Sequence, residues 1–175
     1  MSVLNFCWPI DLALTVASHG WVQLAPWRWD PEAGRLARIE RIGDRYGTVE
    51  VVQRTSRAVV ITREGLGAAD ETEILARVRR WLSADWEPAP AIAALPDAAA
   101  LIKRGGGRML RGSCFYEDFI KTVLTINANW SATCRMAAAL SPSRAREPFP
   151  IPRRCSTMVR SGCASEASSV FAPAR

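Results

Sequence analysis

The chain has 175 residues, of which 49% are hydrophobic and 23% charged, a composition typical of a globular protein with one ordinary domain or two small ones. Its net charge of +6 is uneven, because residues 141–175 hold six arginines against two glutamates and so carry four of the six charges. The basic balance is therefore weak evidence for a nucleic-acid partner. The sequence contains no apolar run of about 18 residues and no basic leader, so we expect neither a membrane span nor a secretory signal, and a cytoplasmic location.

Cysteine usage argues against a metal site and against a disulfide framework. The five cysteines are odd in number, form no C-x2-C pair and have only His19 as an imidazole partner. We expect five free thiols in a reducing compartment, with no metal and no other cofactor. His19, a lone histidine beside Gly20, is expected to be a turn residue.

The first 67 residues predict an antiparallel sheet. Between residues 10 and 63, apolar side chains alternate with polar ones in short runs that turn residues separate at intervals of roughly 8 to 12 positions. Leu12, Leu14 and Val16 form the first run, and residues 59–62 form the last. The connections are too short for crossover helices, so five strands should pair antiparallel in a twisted sheet.

Residues 68–140 predict helices, which gives an α+β fold with a second, incomplete helical domain. A helix should carry the apolar residues of 74–82 on one face, behind an acidic start. One or two short helices interrupted by Pro96 should follow, and the three glycines at 105–107 predict a flexible break.

Two further helices are expected before the composition changes. The first should begin at Ser113 as N-cap and run to about Ile126, and the second should span residues 131–140 with three residues facing inward: Ala132, Met136 and Ala139. Residues 141–175 are rich in Ser, Pro and Arg and show no periodic apolar face, so we expect them to be disordered.

The segment GGGRMLRGSCFYEDFIKTVLTINANWSATCRMAAAL, residues 105–140, has a distinctive pattern. A basic approach precedes paired aromatics and an acidic residue, and the apolar helix ends in an asparagine-containing turn with a methionine nine residues past Asn127. It resembles the first helical pair of the helix-hairpin-helix DNA glycosylases, closest to the 8-oxoguanine and 3-methyladenine branch. Because IDLALTVASHGW resembles the opening of the family's sheet, the likeness covers residues 8–140 and implies the N-terminal portion of such a protein.

The resemblance implies that Asn127 contacts DNA. In the family, this asparagine enters the base stack where the target nucleotide leaves, because an extruded base leaves a gap that a short amide fills while bonding to base edges. The alternative is a cap at a helix C-terminus, which asparagine often provides.

The polar residues around Asn127 each allow two interpretations. Asn129 is a second candidate DNA contact or the N-cap of the next helix, and Trp130 is a packing residue or a base-stacking platform. Four basic residues either contact phosphates beside flexible glycines or form a solvated connector: Lys103, Arg104, Arg108 and Arg111. We take Arg108 and Arg111 as candidate DNA contacts.

The catalytic parts that the resemblance implies are a glycine-containing hairpin followed by an aspartate, often with a nucleophilic lysine. The chain has two lysines, Lys103 and Lys121, neither behind such a hairpin, and beyond Leu140 it has one glycine and no aspartate. We therefore expect no catalytic residue in this chain, with Lys121 on or near an exposed face of its helix beside Glu117. Our hypothesis is that a broken reading frame after residue 140 accounts for the absence of the hairpin, the aspartate and the nucleophilic lysine.

The sequence thus predicts a DNA glycosylase-like protein of base excision repair that recognises damaged purines in double-stranded DNA but is catalytically incomplete. The alternatives are a non-catalytic DNA-binding or interaction module, and a small α+β protein whose likeness to the family is accidental. An incomplete helical domain should also leave an apolar face exposed and the chain prone to self-association. That face should lie around Phe119, Val123, Met136 and Leu140.

Overall fold

A computed structural model describes residues 1–141 of the chain. The segment expected to be disordered, residues 141–175, lies outside this range apart from Ser141. Within it, a five-stranded antiparallel sheet at the N-terminus is followed by helices, which confirms the expected α+β fold.

The sheet is formed by five strands: β1 (Ser2–Asn5), β2 (Trp27–Asp30), β3 (Arg35–Ile42), β4 (Arg45–Thr55) and β5 (Ala58–Glu64). Their order is β1-β5-β4-β3-β2, and every neighbouring pair is antiparallel. Two-residue connections join β3 to β4 and β4 to β5, short enough for hairpins between antiparallel strands.

One predicted strand is wrong. Residues 12–16 form a short helix, α1 (Leu12–Val16), instead of a strand. The fifth strand of the sheet is β1, which precedes this helix. The Asp11 side chain accepts a hydrogen bond from the Leu14 amide at 2.9 Å and caps this helix. In so short a run, apolar residues at 12 and 16 fit one helical face as well as they fit an alternating strand.

The remaining helices are α2 (Glu71–Trp81), α3 (Ala89–Ala94), α4 (Ala99–Lys103), α5 (Phe115–Leu124) and α6 (Trp130–Leu140). The predicted apolar face of α2 is confirmed, since Ile74, Val78 and Trp81 are its buried apolar residues. Pro96 separates α3 from α4, as expected. The core lies between one face of the sheet and helices α1 and α2.

The glycines at 105–107 form a packed turn rather than a flexible break. The carbonyl of Gly105 accepts a hydrogen bond from the Asp11 amide at 3.2 Å. Gly105 has φ +105°, and a Cβ there would lie 2.4 Å from the Asp11 nitrogen. Only glycine fits this close approach, so Gly105 is needed for packing within the protein.

Two details of the last helix pair differ from expectation. Ser113 precedes the N-cap of α5, which is Cys114, and its hydroxyl donates to Glu40 of β3 instead. On α6 the buried residues are Thr133 and Ala137, whereas the expected inward residues Met136 and Ala139 are exposed and Ala132 is half-buried. Ser113 is thus bound to the sheet, and the buried Thr133 of α6 bonds to Leu124 of α5.

A buried ion pair joins the sheet to α5. Arg38 of β3 and Glu117 of α5 are both fully buried, and the guanidinium donates two hydrogen bonds to the carboxylate, at 3.1 and 3.0 Å. The guanidinium also lies 4.4 Å from the ring centre of Trp27 and 5.4 Å from that of Trp81. Bidentate pairing and stacking on aromatic rings are both interactions that suit arginine.

Further partners complete this cluster. Glu117 also accepts hydrogen bonds from Lys121 Nζ at 2.7 Å and from the Ser113 amide at 2.9 Å. Glu40 Oε1 lies 2.7 Å from Arg38 Nε, and Glu40 also pairs with Arg77 of α2. We call Arg38, Glu40, Arg77, Glu117 and Lys121 the buried charge cluster. Strand β3 and helices α2 and α5 are all anchored in it.

We expect Glu117→Ala to destabilise the protein by about 3–5 kcal/mol, because buried Lys121 would lose its carboxylate and Arg38 would keep only that of Glu40. The measurement is the free energy of unfolding from urea denaturation. Glu32→Ala, at an exposed glutamate, is the control and should change it by less than about 0.5 kcal/mol. Equal effects from the two variants would show that the buried pair does not hold the fold.

Candidate nucleic-acid interface

The candidate site is built on the turn between α5 and α6. Helix α5 is capped by Thr125, and Asn127 follows with φ +53°, in the left-handed region. Asparagine tolerates that conformation better than most residues. The Asn127 side chain is exposed, and within residues 1–141 it makes no hydrogen bond, so its amide is open to an outside partner.

Asn129 has a different role. Its side-chain oxygen accepts hydrogen bonds from the Ala132 amide at 2.9 Å and the Ser131 hydroxyl at 2.8 Å. It is thereby the N-cap of α6, which confirms the capping interpretation. A DNA contact by Asn129 remains a prediction and would have to compete with this cap.

Two hydrogen bonds fix the turn in place. The Thr133 hydroxyl of α6 donates to the Leu124 carbonyl at the end of α5, at 2.9 Å. The Trp130 indole donates to the Gln23 side chain at 2.7 Å, across 107 positions of sequence. The turn that carries Asn127 is therefore attached both to the preceding helix and to the loop between α1 and β2.

The Trp130 ring also packs closely against that loop. Gly20 has φ +80°, and a Cβ there would lie 3.2 Å from the Trp130 ring, so a larger residue would be both strained and crowded. The packing interpretation of Trp130 therefore has direct support. Sequence reasoning missed Gln23 and Gly20 as partners, because nothing local links them to a tryptophan so far along the chain.

His19 lies in the same loop and is half-buried. Its ring centre is 4.8 Å from that of Trp21, and its Nδ1 is 2.9 Å from the Ser18 hydroxyl. Burial lowers the pKa of His19, and nearby Asp118 opposes that shift. It lies immediately before the turn residue Gly20, in keeping with the expected turn role.

The structure corrects the expectation for Arg108. Its side chain is buried, donates to the Ser83 carbonyl and lies over the rings of Phe6 and Trp86, so it presents no accessible charge to phosphates. Arg111 is partly exposed but donates to the Arg80 carbonyl and to Asp85, at 3.0 and 2.8 Å.

The other two basic candidates, Lys103 and Arg104, are exposed at the end of α4. Of the four basic candidates, only Arg108 is buried. A phosphate contact by Lys103, Arg104 or Arg111 remains a prediction.

Lys121 is placed differently from expectation. The pairing with Glu117 is present, but both side chains are fully buried instead of lying on an exposed face. Burial lowers the pKa of Lys121, and the carboxylate of Glu117 opposes that shift. The amine donates to Glu117 and lies 5.7 Å from the Trp21 ring centre, so it is enclosed by the protein.

Residues 1–141 contain no helix with the length and apolarity to cross a membrane. In the same range no histidines, cysteines and carboxylates are grouped to hold a metal ion, and the cysteines form no disulfide.

Comparison with known proteins identifies the fold. No family model matches the chain, and no curated protein matches it in sequence. Among solved structures, a 3-methyladenine DNA glycosylase from Archaeoglobus fulgidus matches with a TM-score of 0.65 at 12% identity, covering 82% of this chain and 50% of that one. MBOgg1, solved in complex with a low-affinity DNA ligand, matches with a TM-score of 0.52 at 15% identity, covering 81% of this chain and 45% of that one.

These matches confirm the DNA glycosylase fold that the resemblance implied. The chain spans about half the length of the solved structures it matches. At such low identity the likeness establishes the fold alone, so the roles of individual residues depend on the geometry of this chain.

We expect the stabilising effect of Glu117 to disappear in acid. Burial alone would raise the pKa of Glu117, but the charges of Arg38 and Lys121 outweigh it and hold that pKa well below the ordinary 4.5. The Glu117 carboxylate is therefore protonated more readily in the unfolded chain than in the folded protein. Its contribution to the free energy of unfolding is full above about pH 4.5 and is lost as the pH falls further. Urea denaturation of the wild type and of Glu117→Gln, at pH values from 7 to 3, measures this contribution.

The difference in unfolding free energy between those two proteins should be greatest at neutral pH and should shrink below about pH 4.5. Titratable groups that do not interact with Glu117 cancel in this comparison. A difference that stays constant over the whole range would contradict the lowered pKa.

Proposed function

We propose that this chain is a DNA glycosylase-like protein of base excision repair that binds duplex DNA at damaged purines, with Asn127 at the point of contact. The observation that carries the proposal is the exposed Asn127 amide, held in a left-handed turn and without a hydrogen bond inside residues 1–141, on a glycosylase fold. A base-stack contact needs such a short, unengaged polar group.

The rigidity of the turn supports this role. A side chain that fills a gap between bases must not yield to the restacking DNA, so its backbone has to be fixed. Here the hydrogen bonds of Thr133 and Trp130 attach the turn on both sides, and Asn129 caps the helix that follows. The amide of Asn127 therefore projects from a preorganised position.

The chemistry of the two matched proteins agrees with this partner. One is a 3-methyladenine DNA glycosylase by name, and the other was solved with a DNA ligand. Lys103, Arg104 and Arg111 supply the positive charge that phosphate contacts require, and binding through them is expected to be weak and to fall with salt.

Replacing Asn127 by glycine should abolish the preference for damaged DNA. Glycine accepts the left-handed backbone without strain, so the variant removes the amide and leaves the turn intact. We expect its affinity for a duplex with one abasic site to fall about tenfold, within the roughly 1–3 kcal/mol that one base contact contributes. Binding to an intact duplex should be unchanged. Fluorescence anisotropy at two salt concentrations measures both.

Asn129→Ser is the matched control, because it removes a neighbouring amide while serine keeps the helix cap. If Asn129 acts only as the cap, this variant should bind abasic DNA like the wild type. If Asn129→Ser weakens binding and Asn127→Gly does not, the DNA contact belongs to Asn129. If neither variant has an effect, the turn is not the DNA-binding element.

We further propose that this chain binds without cleaving. Incubated with duplexes that contain 8-oxoguanine or 3-methyladenine, it should release no base and form no borohydride-trapped adduct. A trapped adduct requires a lysine amine that reaches the target sugar. Lys121 is enclosed and paired with Glu117, and we expect the exposed Lys103 at the end of α4 not to reach that sugar. Base release measured by chromatography, or an adduct that Lys121→Gln removes and Lys103→Gln does not, would refute non-cleavage.

A further inference from the structure

Helix α5 is oriented with its charges inside and its apolar residues outside. Glu117 and Lys121 are fully buried, whereas Phe115 is 73% and Phe119 52% exposed. These aromatic residues are offset from the charged ones by two positions, which at 3.6 residues per turn places them on the opposite side of the helix. An ordinary surface helix has the reverse arrangement.

Helix α6 continues the same arrangement. Its buried residues are the small Thr133 and Ala137, and its larger Met136 and Leu140 are 36% and 39% exposed. Trp130 of α6 packs against the loop at Gly20. We call the other exposed large apolar residues of this helix pair and of the turn between them the outer stripe: Phe115, Phe119, Val123, Ile126, Met136 and Leu140. The described residues leave it uncovered.

The outer stripe is large enough for a specific interface. A phenylalanine has about 150–250 Å² to bury, so Phe115 and Phe119 alone present on the order of 250 Å². With its four aliphatic members, the stripe reaches on the order of 500 Å², comparable to the largest apolar patch of a typical monomer. Two such surfaces together bury about 1,000 Å², the lower limit for a specific protein interface.

The charges of these helices favour an identical partner. The three charged residues of α5 are all engaged within the chain, Glu117 with Arg38 and Lys121, and Asp118 with Arg80. Helix α6 has a single charged residue, Arg135. A two-fold contact between copies therefore brings few like charges together, which is the usual obstacle to self-pairing. The stripe itself offers no cation to a nucleic acid.

We propose that the outer stripe is the interface of a homodimer in which α5 and α6 of one copy pack on those of a second copy. Phe119, near the centre of the α5 part, is its main contact. The proposal does not rest on the DNA contact of Asn127, although Ile126 of the stripe precedes Asn127 in the chain.

Sedimentation velocity of the full chain from about 1 to 100 μM tests the proposal. The wild type should approach twice the mass of one chain, and Phe119→Glu should raise the dimer dissociation constant at least tenfold. Leu95→Glu is the matched control, since Leu95 is 56% exposed and lies outside α5 and α6, and it should dimerise like the wild type. Thermal melting verifies that both variants are folded.

Three results would overturn the homodimer. A wild type that stays monomeric at every concentration would mean that the stripe is uncovered or is covered by residues 142–175 of the same chain. Equal weakening by Leu95→Glu would show non-specific association. Open-ended aggregation in place of a species of twice the mass would exclude a closed two-fold contact.

Discussion

The described structure depends on one buried carboxylate. Glu117 receives four hydrogen bonds, two from Arg38 and one each from Lys121 and the Ser113 amide. Charged groups leave water only when they are paired in this way, since an unpaired buried charge costs several kcal/mol. Because Arg38 belongs to β3 and Glu117 to α5, satisfying these charges forces the helix to lie against the sheet with its polar side inward.

That orientation determines what the surface of the helical part presents. With its polar side committed to the buried charge cluster, α5 must turn Phe115 and Phe119 towards the outside. The same docking encloses Lys121 and removes it from contact with solvent. A single electrostatic requirement thus explains both the exposed apolar stripe and the burial of an amine that the sequence pattern favours as a surface group.

The position of Asn127 follows from the docking of α5 as well. The turn begins where α5 ends, and the Thr133 and Trp130 hydrogen bonds attach it to the helix and to the loop that contains Gly20 and Gln23. The elements of the glycosylase fold are therefore joined at the turn that presents the amide. A DNA-contacting residue benefits from such a place, since neither neighbouring element can move without the other.

The sequence by itself determined features that depend on near neighbours: the antiparallel sheet and the buried face of α2. It offered the cap that Asn129 gives to α6 as one of two interpretations. Periodicity also located α5, but a helical pattern with one polar and one apolar side does not say which side faces inward. Only tertiary structure decided that, because Arg38 is 79 positions from Glu117 and Ser113 is 73 from Glu40. The short run at residues 12–16 was likewise settled by a capping hydrogen bond and by packing, since five residues carry too little periodicity to separate a strand from a helical turn.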